Sequence, residues 1–425
     1  MAQPTGRRPW WRRSSVAIAA AAVAAPLVAA CGAGAGGGVT INVYYPPEQH
    51  FQNVVDQCNQ QANGAYHIVY VTSPRDADGQ REQMVRRLAA GDPSLDILGL
   101  DVTWTSEFAG AGWVVPWTGA DEQQAKQDVL AGPLASASYG GKLYGATKNT
   151  NVQLLWYRDD LVTTPPSTWD EMIADAQQLK QQGKTYKIGF TGAQYEGLVV
   201  GFNTLTASAG GKIVSDDGTK AVVDDGAVQG LAMLKKFATS GVTDAGLSSA
   251  QEQATALLME NGDAAFELNW PYVYAAMQQD KPDLFPHFKW TTYPSVTPGG
   301  QSRVTIGGEN LAVSAYSQHK DEAFKAALCL RSPEMQDYSA VNDGVPPTIA
   351  SVYDAPDMAK AYPMKDVIKA ELATAASRPI TPAYQNVSTV MQNLLSPPSA
   401  IDPQATADKM RQAIQDALDS KGVLP

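Results

Sequence analysis

The sequence predicts an α/β fold with more than one domain. Between Val39 and Asp101, β-branched apolar segments alternate with segments of helical periodicity, which is typical of a parallel sheet flanked by helices. The chain has 425 residues, more than the ~250–300 at which a single hydrophobic core stops growing. Its composition, 44% hydrophobic and 18% charged, is that of a globular chain rather than a disordered one.

The N-terminal part of the fold is predicted from five alternating elements. The first strand is β-branched and aromatic, and the second helix carries apolar residues at helical spacing before Gly91. Asp101 follows the third strand directly, and ligands of such sheets bind beyond the carboxyl ends of the strands. The predicted elements are a strand at Val39–Tyr45, a helix at Phe51–Ala62, a strand at His67–Thr72, a helix at Asp78–Ala90 and a strand at Leu95–Leu100.

Capping residues mark the clearest later helices. Thr168 and Glu171 fit a capping box, and Gly183 is a typical stop signal for the helix that begins there. Asp402 as the cap and Pro403 in the first turn predict the start of the last helix. The other predicted elements are a helix at Thr168–Gln182, a strand at Ala264–Leu268 and helices at Lys320–Leu330 and Pro333–Tyr338.

The first thirty residues are predicted to be an export signal outside the fold. A basic head, Gly6–Arg13, precedes the uncharged apolar run Val16–Ala30, which is shorter than the ~20 residues of a membrane-spanning helix. The exit Val28–Cys31 resembles the lipobox of bacterial lipoproteins, in which the cysteine is lipidated and becomes the mature N-terminus. We therefore expect a tether over residues 31–38 and an exported protein, anchored through Cys31 to the outer face of the cytoplasmic membrane. The alternative is an ordinary signal that a cysteine happens to follow, and export by the Sec or the twin-arginine route stays open.

Charge and cysteine content exclude several classes of function. The formal net charge is −11, and removing residues 1–30 takes away four arginines and leaves −15. An acidic balance argues against binding to nucleic acid or to an anionic membrane surface. Three cysteines and four histidines are too few for a zinc cluster, so we expect no metal and no cofactor. Cys58 and Cys329 remain after export, where they either pair in an oxidising compartment or stay separate buried thiols.

The chain lacks the usual enzyme motifs and instead places aromatic residues beside amides and acids. It has no phosphate-binding Gly-rich loop, no nucleophile elbow and no zinc motif. Sugars bind to planar hydrogen-bonding groups and to aromatic rings, although each such segment alone is more commonly explained by packing. The segments are Asp101–Trp104, Asn149–Tyr157, Phe266–Tyr272 and Gly307–Asn310, the last interpreted as a glycine turn.

Taken together, these segments resemble the extracellular solute-binding proteins of family 1, which serve sugar ABC importers. Within the family, the likeness is particularly close to the trehalose-binding lipoproteins of actinobacteria, although Met277–Lys289 is shorter than in those proteins. The resemblance spans nearly the whole chain. The matching stretches are Gly99–Thr105, Phe108–Trp117, Asn149–Leu179, Glu196–Thr204, Asn261–Tyr274, Val304–Ser314 and Arg378–Pro382.

The resemblance implies a type II periplasmic-binding-protein-like fold, in which two α/β lobes are joined by a hinge and the ligand lies in the cleft. Cys58 and Cys329 then fall in helices of the same lobe, which favours a disulfide between them. The implied first lobe is 39–148 plus 271–344, and the implied second lobe is 149–270 plus 345–425.

The resemblance also implies a role for each candidate site residue, none of them catalytic. The implied sugar contacts are Asp101 as an acceptor on the first lobe, Asn151 at the hinge, Glu267 bridging two hydroxyls, Trp270 as the apolar platform, Gly308 for close backbone approach and Arg378 from the second lobe. Further candidates are Glu196, Tyr195 and Gln49. Structural explanations remain for each of them, such as a cap at Asp101, a Glu267–Arg378 ion pair or a core position for Trp270.

The expected function is a lipid-anchored, monomeric receptor that binds a neutral disaccharide, trehalose, and delivers it to an ABC permease with a cytoplasmic ATPase. One alternative is a receptor for maltose-type oligosaccharides or for sugar phosphates, although a phosphate site needs more cations than Arg378 alone. Another is a secreted glycosidase that uses two carboxylates such as Asp101 and Glu267.

Overall fold

A computed structural model describes residues 38–421, so the predicted signal, Cys31 and nearly all of the predicted tether lie outside the described residues. The strands are β1 (Val39–Tyr45), β2 (Tyr66–Thr72), β3 (Ile97–Asp101), β4 (Ser138–Tyr139), β5 (Lys142–Leu143), β6 (Gly145–Asn151), β7 (Leu154–Arg158), β8 (Lys187–Gly189), β9 (Ala264–Asn269), β10 (Phe288–Thr291) and β11 (Gly307–Val313).

Each of the six predicted helices is present, although the one predicted at Pro333–Tyr338 continues to Asp343. The described residues form ten further helices and four short 3₁₀ segments. The helices are α1 (Phe51–Gln61), α2 (Ala77–Ala89), α3 (Thr105–Gly110), α4 (Gly119–Lys126), α5 (Ala131–Ser136), α6 (Trp169–Gln181), α7 (Glu196–Ser208), α8 (Asp225–Ala238), α9 (Glu252–Glu260), α10 (Tyr272–Asp280), α11 (Lys320–Leu330), α12 (Pro333–Asp343), α13 (Met358–Ala361), α14 (Lys365–Thr374), α15 (Tyr384–Leu395) and α16 (Pro403–Leu418).

The first lobe is built on a five-stranded sheet in the order β2-β1-β3-β11-β6. Strands β1, β2 and β3 are parallel, whereas β11 runs antiparallel to both β3 and β6. Side chains alternate between the faces of β1, so that Val43 packs in one core and Tyr44 in another on the opposite side. Helices cover both faces, as a sheet with two buried faces requires.

The second lobe is built on a four-stranded sheet in the order β10-β7-β9-β8, with its own hydrophobic core. Helix α6 begins with the predicted capping box, in which Thr168 and Glu171 each bond the other's backbone N–H. The buried apolar stripe of α6 packs into this core and leaves the helix's polar side in water. The predicted two-lobed α/β fold is confirmed.

Two segments differ from their sequence-based assignment. Strand β10 pairs with β7 in the second sheet, although the predicted boundary assigns 271–344 to the first lobe. Helix α10 also packs in the second core, through Val273 and Met277. Residues Gly307–Asn310 form the start of β11 rather than a glycine turn, because ladders on both sides hold them extended. Contacts with strands and core residues that are distant in sequence decide where β10, α10 and Gly307–Asn310 lie.

A disulfide joins Cys58 of α1 to Cys329 of α11, with 5.8 Å between the Cα atoms. Both helices pack in the same core of the first lobe, so the predicted pairing is confirmed. Among residues 38–421, none of the helices combines the length and the apolar character that crossing a bilayer demands.

Candidate binding site between the two lobes

An ion-paired network joins the two lobes through Arg378. Its guanidinium donates to Asp101 at the end of β3, at 3.0 Å, and to Glu196 at the start of α7, at 2.5 Å. Arg378 is only 4% exposed, so the network is largely shielded from water. Because Asp101 belongs to the first lobe and Glu196 to the second, this arginine connects both sides of the cleft. The alternative Glu267–Arg378 pair is absent from the described residues.

Donors around Glu196 complete the second-lobe side of this network. Tyr384 and Ser388 of α15 donate hydroxyl hydrogen bonds to its carboxylate. Burial raises the pKa of Glu196, and Arg378 opposes that rise by favouring the charged form. Burial by itself lowers the pKa of Arg378, but Asp101, Tyr384 and Glu196 together raise it by more, so the guanidinium stays charged.

Further contacts show that the lobes meet in this arrangement. Ser106 of α3 donates to the backbone carbonyl of Thr381 at 3.1 Å, and Gln385 of α15 donates to Asp78 of α2 at 3.0 Å. Since Ser106 and Asp78 lie on first-lobe helices, and Thr381 and Gln385 lie before and within α15 of the second lobe, the cleft is closed over the Arg378 network. A crevice with Arg378 in its wall runs between the same two sides.

A second buried network lies beneath the first-lobe surface of the cleft. The Lys148 side chain is fully buried, and its ammonium group donates to Glu48 at 2.6 Å and to Ser339 at 3.2 Å. Tyr45 donates to the other oxygen of the Glu48 carboxylate at 2.7 Å. Charge neutralisation and hydrogen bonding together let this lysine stay buried. The residue pattern did not single out Glu48 or Lys148, because neither belongs to a recognisable motif.

Glu309 is a site residue that the sequence placed only within a supposed glycine turn. It stands directly opposite Asp101 in the β11–β3 ladder. Its Oε2 atom is buried without a hydrogen-bond partner among the described residues. Burial, Asp101 and Glu48 raise the pKa of Glu309 well above its ordinary value. The only sequence signal for Glu309 was an acid placed between two glycines and an asparagine in Gly307–Asn310.

Gly308 has a structural reason to be glycine. Its φ of +127° lies outside the range that L side chains normally adopt, and a Cβ there would stand 2.5 Å from the carbonyl oxygen of Asn149. The glycine therefore permits close packing of β11 against β6. The predicted close approach of the Gly308 backbone to a ligand stays a prediction beside this structural reason.

Asn151 and Trp270 lie together where the chain passes between the lobes. Asn151 is the last residue of β6, and its Oδ1 is buried without a partner among the described residues. A Cβ on Gly307 would contact the Trp270 indole at 3.1 Å and Asn151 at 3.3 Å, which shows how close the three residues are. Trp270 is partly exposed, so it is not simply a core residue.

Glu267 is completely buried in β9 and has no exposed surface. Asn269 donates to its Oε1 at 2.7 Å, and its Oε2 has no partner among the described residues. Burial raises the pKa of Glu267 to about 8. Asn269 also accepts from the backbone N–H of Trp270 at 2.8 Å, which links Glu267 to the indole. A direct contact between Glu267 and a ligand requires this carboxyl group to become uncovered.

The other candidates lie at the margins of the network. Tyr195 is buried directly before α7 and donates its hydroxyl to Glu252, so that hydroxyl is already engaged. Gln49 is exposed before α1 and donates across the cleft to Gln279 of α10 at 3.2 Å. The structure thus brings Asp101, Glu196 and Arg378 together, and leaves Tyr195 and Gln49 outside their hydrogen-bond network.

A cluster of residue types that can bind a metal ion lies outside the Arg378 network. Asp159, Asp160 and His287 stand close together, but Asp160 is bonded to Arg158 and Asp159 to His287. Lys289 lies 3.7 Å from Asp159. Arg158 and Lys289 therefore already supply positive charge beside these two carboxylates.

The fold is that of a transport solute-binding protein. The chain belongs to the bacterial extracellular solute-binding protein family, whose model matches residues 46–337. A relative from Deinococcus radiodurans, described as a probable ABC transporter-binding protein, is 29% identical over 329 residues. That match covers 74% of this chain and 76% of the relative.

Solved structures share the type II periplasmic-binding-protein fold. The maltose-bound MalE3 of T. maritima has a TM-score of 0.81 at 26% identity, and covers 89% of this chain and 99% of its own. The GacH receptor of Streptomyces glaucescens, solved unliganded and with acarbose, has a TM-score of 0.79 at 19% identity. It covers 91% of this chain and 100% of its own, and supports the fold alone.

Proposed function

We propose that this protein is the sugar-binding receptor of an ABC importer and that its ligand is trehalose. The observation that carries the proposal is the convergence of Asp101 from one lobe with Arg378 and Glu196 from the other. A ligand that is held from both sides favours the closed arrangement, and closure presents a distinct surface to the permease. The maltose complex of MalE3 and the naming of the Deinococcus relative support a sugar as cargo and an ABC importer as partner.

The chemistry of the cleft suits a hydroxylated ligand. Asp101 and Arg378 supply charge-assisted hydrogen bonds, which are stronger than neutral ones even to an uncharged hydroxyl. Asn151 has a free buried oxygen that accepts a hydroxyl hydrogen, and Trp270 beside it offers an apolar face to the C–H side of a sugar ring. We propose Glu267 as a further contact through its unpartnered Oε2.

Trehalose as the ligand rests on the motif resemblance. Every polar atom of trehalose is a hydroxyl or an ether oxygen, so a site that prefers trehalose rejects maltose by the geometry of the glycosidic link. Thermal-shift and calorimetric titrations with trehalose, maltose, sucrose and glycerophosphodiesters test this assignment. Trehalose should raise the melting temperature by mass action. If another sugar raised the melting temperature and trehalose did not, trehalose would be rejected as the ligand, while the sugar-receptor function would stand.

Two substitutions test the site itself. Asp101→Ala and Trp270→Ala should each weaken sugar binding about 30-fold, the loss expected when a central contact residue is truncated. Asp321→Ala, which removes an exposed acid on α11, is the matched control and should bind normally. Circular dichroism should show a folded protein in each case. Unchanged affinity in both site variants would contradict the proposed contacts.

Incubation with disaccharides separates the receptor from a glycosidase. The receptor should release no glucose from trehalose, maltose or sucrose over many hours. Sustained glucose release that disappears in Asp101→Ala would replace the receptor proposal with a glycosidase.

We also propose that the exported chain is anchored by lipid on Cys31. The full chain, expressed in an actinobacterial host and partitioned in detergent, should appear in the membrane fraction and incorporate labelled fatty acid. Cys31→Ser should abolish labelling and release the protein from the membrane. Labelling that persists in Cys31→Ser would exclude this anchor. Cys58→Ser, which leaves the proposed anchor in place, is the control.

A further inference from the structure

Two acids face one another across the β3–β11 ladder at the surface of the cleft. Asp101 and Glu309 are direct partners in an antiparallel pair, in which opposing side chains on the same face lie about 5 Å apart. Like charges in this position destabilise a sheet. Nothing in the secondary structure requires this arrangement, because a neutral residue at either position would fit the ladder equally well.

The surrounding cations neutralise this pair only in part, because both are bonded to other acids. Lys148 bonds Glu48, and Arg378 bonds Glu196 and Asp101. The groups that interact electrostatically with Glu309 are Asp101, Glu48, Arg378, Lys148 and Tyr45. Four carboxyl groups, Glu48, Asp101, Glu196 and Glu309, therefore face only two cations.

Of the four carboxyl groups, Glu309 is the one that is not bonded to either cation. Its Oε2 is buried and accepts no hydrogen bond from any residue between 38 and 421. A buried carboxyl group without a donor is costly, and it needs either a proton or a cationic donor. Trp270 and Asn151 lie beside Gly307, two residues before Glu309, so an aromatic face and a free acceptor adjoin the same strand.

From this geometry we propose that the cleft also takes a sugar bearing an ammonium group, with Glu309 as its counter-ion and Asp101 as a second acceptor. The inference rests on the proposed sugar-receptor function and extends its substrate class from neutral sugars to amino sugars. An ammonium group supplies both the missing charge and up to three hydrogen-bond donors. The charge of the ammonium group takes the place of a proton held between the Asp101 and Glu309 carboxyl groups. The indole of Trp270 adds a favourable cation–π surface.

Matched ligand pairs test the proposal in the full-length protein. The pairs are trehalose with each amino isomer of trehalosamine, in which an ammonium group replaces one hydroxyl, and glucose with glucosamine. At pH 7 the best amino isomer should bind about tenfold more tightly than its neutral parent, because the new hydrogen bonds are charge-assisted. Glu309→Gln should remove this preference, so that the amino isomer binds the variant no more tightly than its neutral parent does. Glu334→Gln, the same change at an exposed position of α12, should leave the preference intact.

Calorimetry in two buffers of different ionisation enthalpy adds a second readout. Binding of the amino sugar should release protons from the wild-type protein, because the ligand's charge displaces the proton shared among the carboxyl groups. The neutral parent should release none, and Glu309→Gln should abolish the release. If this variant does not fold, added NaCl serves instead: it should weaken binding of the amino sugar and leave the neutral sugar unaffected.

The outcomes separate this inference from the proposed function. If trehalose binds and no amino isomer binds more tightly, the inference is overturned and the receptor function stands. If amino sugars bind and neutral ones do not, trehalose is rejected as cargo and the inference stands. If neither class binds, the sugar-receptor function fails, and the inference fails with it. A preference for amino sugars that survives in Glu309→Gln would also overturn the assignment to Glu309.

Discussion

Arg378→Met should destabilise the unliganded protein, because it removes the cation that joins the lobes and keeps an apolar stem of similar length. Glu196 and Asp101 then lose their charged donor, while Tyr384 and Ser388 still bond Glu196. Breaking a buried ion pair by removing one partner costs about 3–5 kcal/mol. Since Asp101 keeps a 17% exposed side chain and Glu196 keeps two donors, we expect the lower end, about 3 kcal/mol.

The assay is thermal and urea unfolding followed by circular dichroism. With about 2.1 cal/mol/K of unfolding entropy per residue, 3 kcal/mol corresponds to a fall in melting temperature of about 4 °C for a chain of this size. Arg303→Met, which makes the same change at an exposed position, should shift it by less than about 1 °C.

The pH dependence gives a second measurement on the same variant. Without Arg378, the pKa of buried Glu196 rises further, so the folded state binds more protons than the unfolded state. Folding then becomes more favourable as the pH falls, and the deficit of the variant should be smaller at pH 5 than at pH 8. Equal melting temperatures for Arg378→Met and Arg303→Met at pH 8 would refute the reasoning.

Three further predictions follow from the fold. Replacing both Cys58 and Cys329 by serine should lower the free energy of unfolding by about 2–5 kcal/mol, measured in urea, and should leave sugar affinity unchanged. The folded-state pKa of Glu267 is raised to about 8, so its contribution to stability is complete below pH 4.5 and is lost as the pH rises towards 8. The free energy of unfolding should therefore fall with pH in this window, and Glu267→Gln should remove up to about 1.4 kcal/mol per pH unit of that dependence. An unchanged pH dependence in the variant would contradict the raised pKa. Gly308→Ala should destabilise by about 3 kcal/mol and Gly299→Ala, at a positive φ with open space, by only about 1 kcal/mol; equal losses would exclude the backbone clash.

Local sequence determined those helices and strands that carry a cap or a clear apolar period. The capping box at Thr168, the Asp402 cap and the apolar alternation of Val39–Tyr45 act over a few residues, so their effect can be read directly from the chain. The position of Asp101 at the end of a strand follows from the same patterns. The resemblance to a known family added the two lobes and the Cys58–Cys329 pairing, which local patterns left open.

The tertiary structure alone decided which charged groups meet. Arg378 pairs with Asp101 and Glu196, which are far away in sequence, and Glu267 is buried beyond its reach. Glu309 faces Asp101 because β11 inserts antiparallel beside β3, and no local pattern encodes that register. Long-range strand pairing and burial set these contacts, since they depend on the whole packed chain rather than on neighbouring residues. The sequence therefore predicted individual helices and strands and the residue types of the site. Only the folded chain determined which charged groups pair and how burial shifts their pKa values.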